Sequence, residues 1–379
     1  MTPSALLLPK RFFRPTWAEV NLSYLHENFR ILRSRLPAKV KILFVVKADA
    51  YGHGAVFLAK ETERLRLKGN PAADFFGVSS VEEGAALRQV GIKTPILILG
   101  SLYPFKSFLE AARLSLIPTV SSLEGARQLN AMGLKLKKRL AAHLKIDTGM
   151  GRVGVSPQNA SEIIDFLSKS RGAVLAGIYT HFSSAESDSG FTRLQIQRLS
   201  QVLKNKGLKN GKILVHASNS AGVLNHPEAN YDMVRVGGAL YGLWPGFKPL
   251  LSFKARIVFI KKIEKGASVG YGRTFRASRP LRIATVCAGY ADGVSRTLSN
   301  KGEVLVEGRR CKIIGTVTMD MLMIDVTDVF EARIGSEVIL IGEQGKEQIS
   351  AMETANFSNT IPYEVVCAIS RRVPRVYQR

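Results

Sequence analysis

The 379-residue chain is short of cysteine and of acidic residues, and each shortage excludes something. Its 3 cysteines, Cys287, Cys311 and Cys367, lie far apart with no C-x-x-C pair. An odd, scattered set gives neither a disulfide framework nor a zinc ribbon, and fits a reducing cytoplasm. Asp and Glu number 30 against 54 Lys and Arg, a formal charge of +24. Such an excess suits a nucleic-acid binder, a basic proteome or an anionic substrate. The basic residues are scattered, with clusters at 10–14, 135–139 and 371–379. No zinc-finger spacing, RNP-like segment or heptad zipper accompanies them, so no nucleic-acid partner is expected. No window approaches the roughly 18 apolar residues of a membrane span. The run Ala5–Leu8 is broken by Pro9-Lys10-Arg11, too early for a secretory leader. No membrane partner and a cytoplasmic location are therefore expected. Asp320 and Asp325 have no matched His, Cys or carboxylate set around them, so no metal is expected.

Hydrophobic residues make up 46% and charged residues 22%, enough apolar material to bury a core and to exclude long disorder. At roughly 100–200 residues per domain the length suggests two or three domains. Short apolar runs recur, at 41–47, 75–79, 95–99, 117–121, 143–147, 176–182, 213–217 and 233–236. Helical patterns follow seven of them. Regular alternation of strand and helix means a parallel sheet, and eight repeats in about 200 residues mean a (β/α)8 barrel. A doubly wound open sheet is the competing reading, but no G-x-G-x-x-G follows the first strand. After Pro249 the texture changes. Runs at 254–263, 281–287, 303–306, 311–317, 321–326 and 337–341 are separated by glycine-bearing turns, with one helix expected after Ser350. The expected fold is thus α/β: a TIM-type barrel over 15–248, then a mainly β domain over 249–379. Residues 15–21 alternate like a strand and are assigned loosely to the second domain.

In such barrels the chemistry sits at the C-terminal ends of the strands. Lys47 follows the apolar run Ile42–Val46. A lysine there is either a solvated rim residue or an amine whose lowered pKa makes it a nucleophile toward carbonyls. Gly52-His53-Gly54 points to a tight turn near a ligand. Gly237-Gly238 follows the eighth strand, where barrels often hold phosphate on backbone N–H groups, and Ser220 follows the seventh. A lysine and a phosphate cradle together suggest pyridoxal phosphate. His181 is either a packing residue or a ring lying against a flat cofactor.

These residues resemble a known family. Val46-Lys47-Ala48-Asp49-Ala50-Tyr51-Gly52-His53-Gly54 is similar to the cofactor-lysine signature of the alanine racemases, fold-type III pyridoxal-phosphate enzymes. The segments 145–154 (KIDTGMGRVG), 179–182 (YTHF), 216–220 (HASNS), 290–293 (YADG), Thr318-Met319-Asp320 and Pro362-Tyr363-Glu364 resemble family segments in family order. The resemblance runs from about Trp17 to Arg375. It implies interconversion of L- and D-alanine, supply of D-alanine for peptidoglycan, and a homodimer with active sites shared between subunits. It makes Lys47 the cofactor-holding residue and one acid/base, and Tyr271 of the other subunit the second. Tyr51, Ser220, Gly237, Gly238 and Tyr363 match phosphate-binding positions, and Arg235 the position at the pyridine nitrogen. His181 and Asn219 match cofactor-proximal positions, and Arg152 and Met319 positions near the substrate carboxylate. Lys145 matches a lysine that is carbamylated in many members, where it steadies the residue matching Arg152. Glu186, Tyr290 and Arg296 match the substrate entryway. Glu186 replaces a commoner aspartate and Thr318 a commoner cysteine, which leaves substrate size open.

The chemistry gives reasons for these residue types. Racemisation takes a proton from one face of the α-carbon and returns one to the other, so it needs two acid/bases on opposite faces. A tyrosine, with an ordinary pKa near 10, needs cationic help to act as a base near neutral pH. An arginine at the ring nitrogen only donates, keeps that nitrogen unprotonated and weakens the electron sink, which disfavours transamination and decarboxylation. The competing readings are a serine, lysine or broad-specificity racemase of the same fold, a non-enzymatic cofactor carrier, which would lack residues 250–379, and a decarboxylase, which would want an acid where Arg235 stands.

Overall fold

The structure is a computed structural model that describes residues 13–208 and 213–379. The run Ala5–Leu8 and the basic residues Lys10 and Arg11 lie outside it. Contacts divide the chain into two compact units. One holds residues 29–50 and 55–240; the other holds the N-terminal strand, residues 51–54 and residues 241–379.

The first unit is a parallel eight-stranded sheet curled into a barrel. In spatial order the strands are Leu214–His216, Ala173–Tyr179, Leu140–Lys145, Leu116–Val120, Ile96–Ser101, Phe75–Val78, Lys41–Val45 and Met233–Val236. The seam between the first and last of these is bridged by Asp232 N donating to Val215 O (3.0 Å) and Arg235 N to Ser218 O (3.0 Å). Strands covered on both faces read as unbroken apolar runs, which is why all eight were visible in the sequence. Phe44 meets Phe29 edge-on at 5.4 Å and Phe76 at 6.4 Å, all three buried. Some of the helices between strands start on short polar caps. Ser80 accepts from Glu83 N before Val81–Gln89, and Ser122 from Gly125 N before Leu123–Leu136. Unforeseen were the helix Leu22–Ser34 and a small hairpin, Arg66–Leu67 with Asn70–Pro71, ahead of the second barrel strand. The sequence pattern carried the first barrel strand to Lys47; it ends at Val45.

The second unit is built on one 13-residue strand, Leu251–Ile263. It pairs antiparallel with Thr16–Asn21, Leu281–Val286 and Glu337–Gln344. Thr16–Asn21 pairs in turn, in parallel, with Arg375–Gln378. Its alternating inward residues, Leu251, Phe253, Ala255 and Ile257, join Val286, Ile324 and Val338 in one apolar core. The strand expected at 311–317 lies instead at Arg309–Lys312. Glu307 and Gly308, at φ 49° and 73°, close a two-residue turn onto Glu303–Val306 and so fix the register earlier. The helix expected after Ser350 is Ala351–Ser358, capped by Ser350 Oγ accepting from Glu353 N at 3.0 Å. A second helix, Pro362–Ala368, was not foreseen.

Candidate active site

Lys47, Lys145, His181, Ser220 and Arg235 all fall at or beyond the C-terminal halves of barrel strands, at one end of the barrel. Lys47 opens an unusual turn. Ala48, Asp49, Ala50 and Tyr51 all adopt left-handed φ values of 52° to 54°. Each non-glycine residue there costs roughly 1–2 kcal/mol, so the turn must be held from outside. Glu83 Oε1 accepts from Ala48 N (2.7 Å), Asp49 Oδ1 from Ala55 N (2.8 Å), and Val46 O from Ala50 N (2.9 Å). The expected tight turn is therefore present but begins before the glycines. Gly52 and Gly54 serve close packing: a Cβ on the first would strike Val366 O, and on the second the Tyr377 hydroxyl.

Arg235 is buried in the last barrel strand, without a carboxylate partner among the described residues. Its Nη1 donates to His216 Nδ1 (3.0 Å) and His216 O (3.1 Å). Its Nη2 donates to Thr180 O (2.7 Å), Ala217 O (2.8 Å) and His181 Nδ1 (3.2 Å). Among the described residues nothing pairs with its Nε. Burial lowers its pKa to about 10, so it stays charged at neutral pH. A guanidinium only donates, so His216 Nδ1 must accept and its proton sits on Nε2, facing His143 Nδ1 at 2.8 Å. His143 therefore carries its proton on Nε2, which is buried and has no hydrogen-bond partner among the described residues. Burial and then the Arg235 charge push the His143 pKa down to about 3, and burial first holds His216 and His181 well below their ordinary value. Gly177 makes room for this pair: a Cβ there would lie 2.5 Å from His143 Nδ1. Tyr179 stacks on His216, ring centres 4.7 Å apart, and exchanges a 2.8 Å hydrogen bond with Thr119 Oγ1. Burial pushes the Tyr179 phenol up to about 12. This layer was missed in the sequence. Its only trace was polar His143, Tyr179 and His216 in apolar runs distant along the chain.

Lys145 is buried, its ammonium 5.6 Å from the Tyr179 ring centre. Burial, then Arg152 and Arg235, bring its pKa down to about 8. Arg152 is exposed, as is Glu186. Ser220 is buried at the start of the helix Ser220–Asn225, and its hydroxyl accepts from Ala239 N (3.2 Å). Asn219 caps that helix, accepting from Gly222 N at 2.9 Å. Gly237 and Gly238 are buried just past the last strand.

In the other unit Tyr51 packs between Tyr241 (4.9 Å) and Tyr363 (5.8 Å), whose hydroxyl accepts from Trp244 Nε1 (2.7 Å). Burial, then Tyr363 and Cys367, raise the Tyr51 pKa, so it remains a phenol and a donor. Tyr271 is 73% exposed on a tight turn between Gly270 and Gly272, both at positive φ. Tyr290 and Met319 are also exposed, and Arg296 opens a 3-10 turn. Asp320 pairs with Arg372 (2.8 Å) and Asp325 accepts from Thr327 N (2.9 Å). Among the described residues no three His, Cys, Asp or Glu side chains gather as a metal site would.

The donor set suits pyridoxal phosphate. The guanidinium with an unengaged Nε offers a hydrogen bond to a ring nitrogen without surrendering its proton, and a lysine stands at the same barrel mouth. An amine and a donor-only cation at the mouth of a (β/α)8 barrel, in a chain that continues into a β domain, define the fold-type III pyridoxal-phosphate enzymes. Residues 20–245 match the family described as alanine racemase, N-terminal domain, and residues 250–377 the alanine racemase C-terminal domain. The chain belongs to the alanine racemase family. It is 43% identical to an alanine racemase of Halothermothrix orenii, covering 97% of this chain and 98% of that one. It is 42% identical to another from Carboxydothermus hydrogenoformans, covering 96% and 100%. Among solved structures it resembles the Clostridium difficile alanine racemase with a TM-score of 0.89 at 36% identity, covering 97% of each chain. It also resembles the Bartonella henselae enzyme, solved with covalently bound pyridoxal phosphate, with a TM-score of 0.85 at 28% identity, covering 96% and 99%.

Proposed function

We propose that Lys47 and Tyr271 are the two acid/bases with which this pyridoxal-phosphate-dependent isomerase interconverts L- and D-alanine. The observation that carries the reading is Arg235, fixed by five hydrogen bonds from its terminal nitrogens and with its Nε unengaged. Bound pyridoxal phosphate supplies the electron withdrawal that acidifies the α C–H of the amino acid. Arg235 holds the ring nitrogen without giving it a proton, which restrains that withdrawal and confines the outcome to proton exchange. Lys47 holds the cofactor and moves the proton on one face. Tyr271 moves it on the other. Its exposure in the single chain supports a homodimer in which each site takes this residue from the partner. Ser220, Gly237 and Gly238 are assigned to the phosphate by family position, as are Tyr51 and Tyr363; His181 and Asn219 are assigned to the cofactor. Arg152 and Met319 are assigned to the substrate carboxylate, and Glu186, Tyr290 and Arg296 to the entryway. Lys145, partly neutral near pH 7, is suited to carbamylation and to steadying Arg152. D-alanine for peptidoglycan, made in the cytoplasm, is the role these assignments support. Among the described residues no helix is long and apolar enough to cross a membrane.

The test is loss of optical activity for L-alanine, L-serine and L-lysine, with and without added pyridoxal phosphate. Alanine should react fastest and depend on the cofactor. Borohydride reduction of the loaded enzyme should fix the cofactor on the Lys47 peptide; fixation on Lys145 would overturn the assignment. A faster reaction with serine or lysine would establish the broader racemase instead.

A further inference from the structure

At the opposite end of the barrel from Lys47, where the strands begin, a groove of about 760 Å³ is walled by cations. That volume is within the range of small-molecule sites, roughly 300–1,000 Å³. Three separate segments supply the charge. Arg30 and Arg33 come from the helix Leu22–Ser34, Lys39 and Lys41 from the connection into the first barrel strand, and Arg66 and Lys68 from the Arg66–Leu67 hairpin. Against these six stands, among the described residues, one carboxylate in the lining, Asp74. It is already engaged: Oδ2 accepts from Ile42 N (2.8 Å) and Oδ1 lies 3.8 Å from Lys41 Nζ.

Two of the groove's arginines, Arg33 and Arg66, are oriented by backbone carbonyls, and the Asp74 charge only partly offsets that of Arg33. Arg33 donates to Val40 O and Pro37 O, both at 2.8 Å, and Arg66 donates to Glu63 O at 2.7 Å. Backbone carbonyls orient a guanidinium but leave its full charge. The Arg33 Nε is buried with no partner among the described residues, an unused donor on a group whose pKa burial already lowers. Lys39, Arg30 and Lys68 are exposed and form no ion pair among the described residues. The favourable end of a helix dipole accounts for Arg33 at the close of Leu22–Ser34, but not for Lys39, Arg66 or Lys68. Holding several uncompensated cations around one concavity is costly for the free chain and focuses a field on any anion that enters. Leu36, Val40, Leu67 and Pro71 add an apolar wall.

We infer that this groove is a binding site for a small polyphosphate, a ligand with at least two linked phosphoryl groups, separate from the catalytic mouth. A single phosphate would satisfy one of the three segments; linked phosphates reach across them, with arginine forks matched to phosphoryl oxygens. Two sources share this chemistry, free inorganic polyphosphate and a nucleotide, and the apolar wall offers the second a place for its ring.

The test is isothermal titration of the pyridoxal-phosphate-loaded enzyme, so that the cofactor's own phosphate site is filled. The probes are tripolyphosphate, ATP and, as an uncharged control, adenosine. Saturable one-to-one binding of either phosphate probe, falling steeply with salt, is expected. Lys39→Glu with Lys68→Glu should weaken it by about tenfold or more while melting temperature and racemase activity stay as in the parent. Arg30→Glu, on a different segment, should weaken it separately. ATP binding more tightly than tripolyphosphate identifies a nucleotide; equal affinities identify the phosphates alone. Equal affinity in parent and variants, no saturable heat, or adenosine binding as well as ATP overturns the site. A single-stranded oligonucleotide that binds more tightly than ATP and keeps its affinity in the variants also overturns it, in favour of a nucleic-acid surface elsewhere.

Discussion

Arg235 Nη1 donates to His216 Nδ1 at 3.0 Å, and this one contact sets the tautomer of a histidine that Arg235 could otherwise have left ambiguous. The proton is thereby placed on His216 Nε2 and passed as a hydrogen bond to His143. The cation at the mouth is thus braced by two neutral imidazoles rather than by a carboxylate that would cancel its charge.

Replacing that brace's cation should change the outcome of the reaction as well as its rate. Arg235→Glu should lower racemisation on the order of 100-fold or more, as loss of a preorganised donor does. Pyruvate release from alanine by transamination should rise relative to racemisation. Measuring both products in one assay checks this, and an unchanged ratio would sink the account of Arg235.

Acid should unfold the protein through the same histidines. His143 binds its proton with a pKa of about 3 when folded and near 6.5 when unfolded, so the unfolded state takes up more protons between these values. Stability is full above pH 6.5 and falls as pH drops toward 3. His143 alone contributes a loss of about 2 kcal/mol by pH 5. Urea unfolding at several pH values should show this slope, and His143→Gln should flatten it.

Lys145 should make activity depend on carbon dioxide. With a pKa of about 8, roughly a tenth of its amine is neutral at pH 7 and able to form a carbamate. Enzyme prepared in carbon-dioxide-free buffer should lose activity several-fold and recover it with bicarbonate, while Lys145→Ala responds to neither. A bicarbonate response that persists in Lys145→Ala removes Lys145 from this role.

Glu83 is expected to control cofactor retention although it lies outside the chemistry. It accepts from Ala48 N, Ser79 N and Ser79 Oγ, at 2.7, 2.7 and 2.9 Å. Glu83→Ala should cost about 2 kcal/mol, loosen the left-handed turn and speed loss of pyridoxal phosphate. Absorbance during dialysis reads that loss, and retention equal to the parent's would show that the turn holds itself.

Subunit exchange tests the shared site. Lys47→Ala and Tyr271→Phe homodimers should each be nearly inactive. Unfolded together and refolded, half the dimers are mixed, and two-fold symmetry gives each one intact and one doubly altered site. About a quarter of parental activity should return. No recovery would mean that each site is complete within one chain.

The barrel was legible because strands buried on both faces leave apolar runs, and Ser350 with Glu353 announced a helix start three residues apart. Pro362–Ala368 escaped because seven residues give too little periodicity to separate it from a loop. Lys47 was singled out by a contiguous motif, and Arg235 and Tyr271 by their match to family positions. The His143–His216 layer was not, because its members lie on strands separated by long stretches of chain, and only the fold brings them to 2.8 Å. Nor did Ala48 to Tyr51 betray their left-handed turn, since none is a glycine and the restraining Glu83 lies 35 residues on.

Thr16–Asn21 lies between Leu251–Ile263 and Arg375–Gln378 in its sheet, and that placement has a consequence for synthesis. Thr16–Asn21 can complete its pairing only after Arg375–Gln378, most of the chain further on, has emerged. At about 5–20 residues per second that is a wait on the order of tens of seconds. The barrel strands, from Lys41 to Val236, are complete much earlier, so translation itself orders the two units in time. A stalled or truncated chain would carry a formed barrel beside an unpaired strand edge, which is the feature by which aggregation begins.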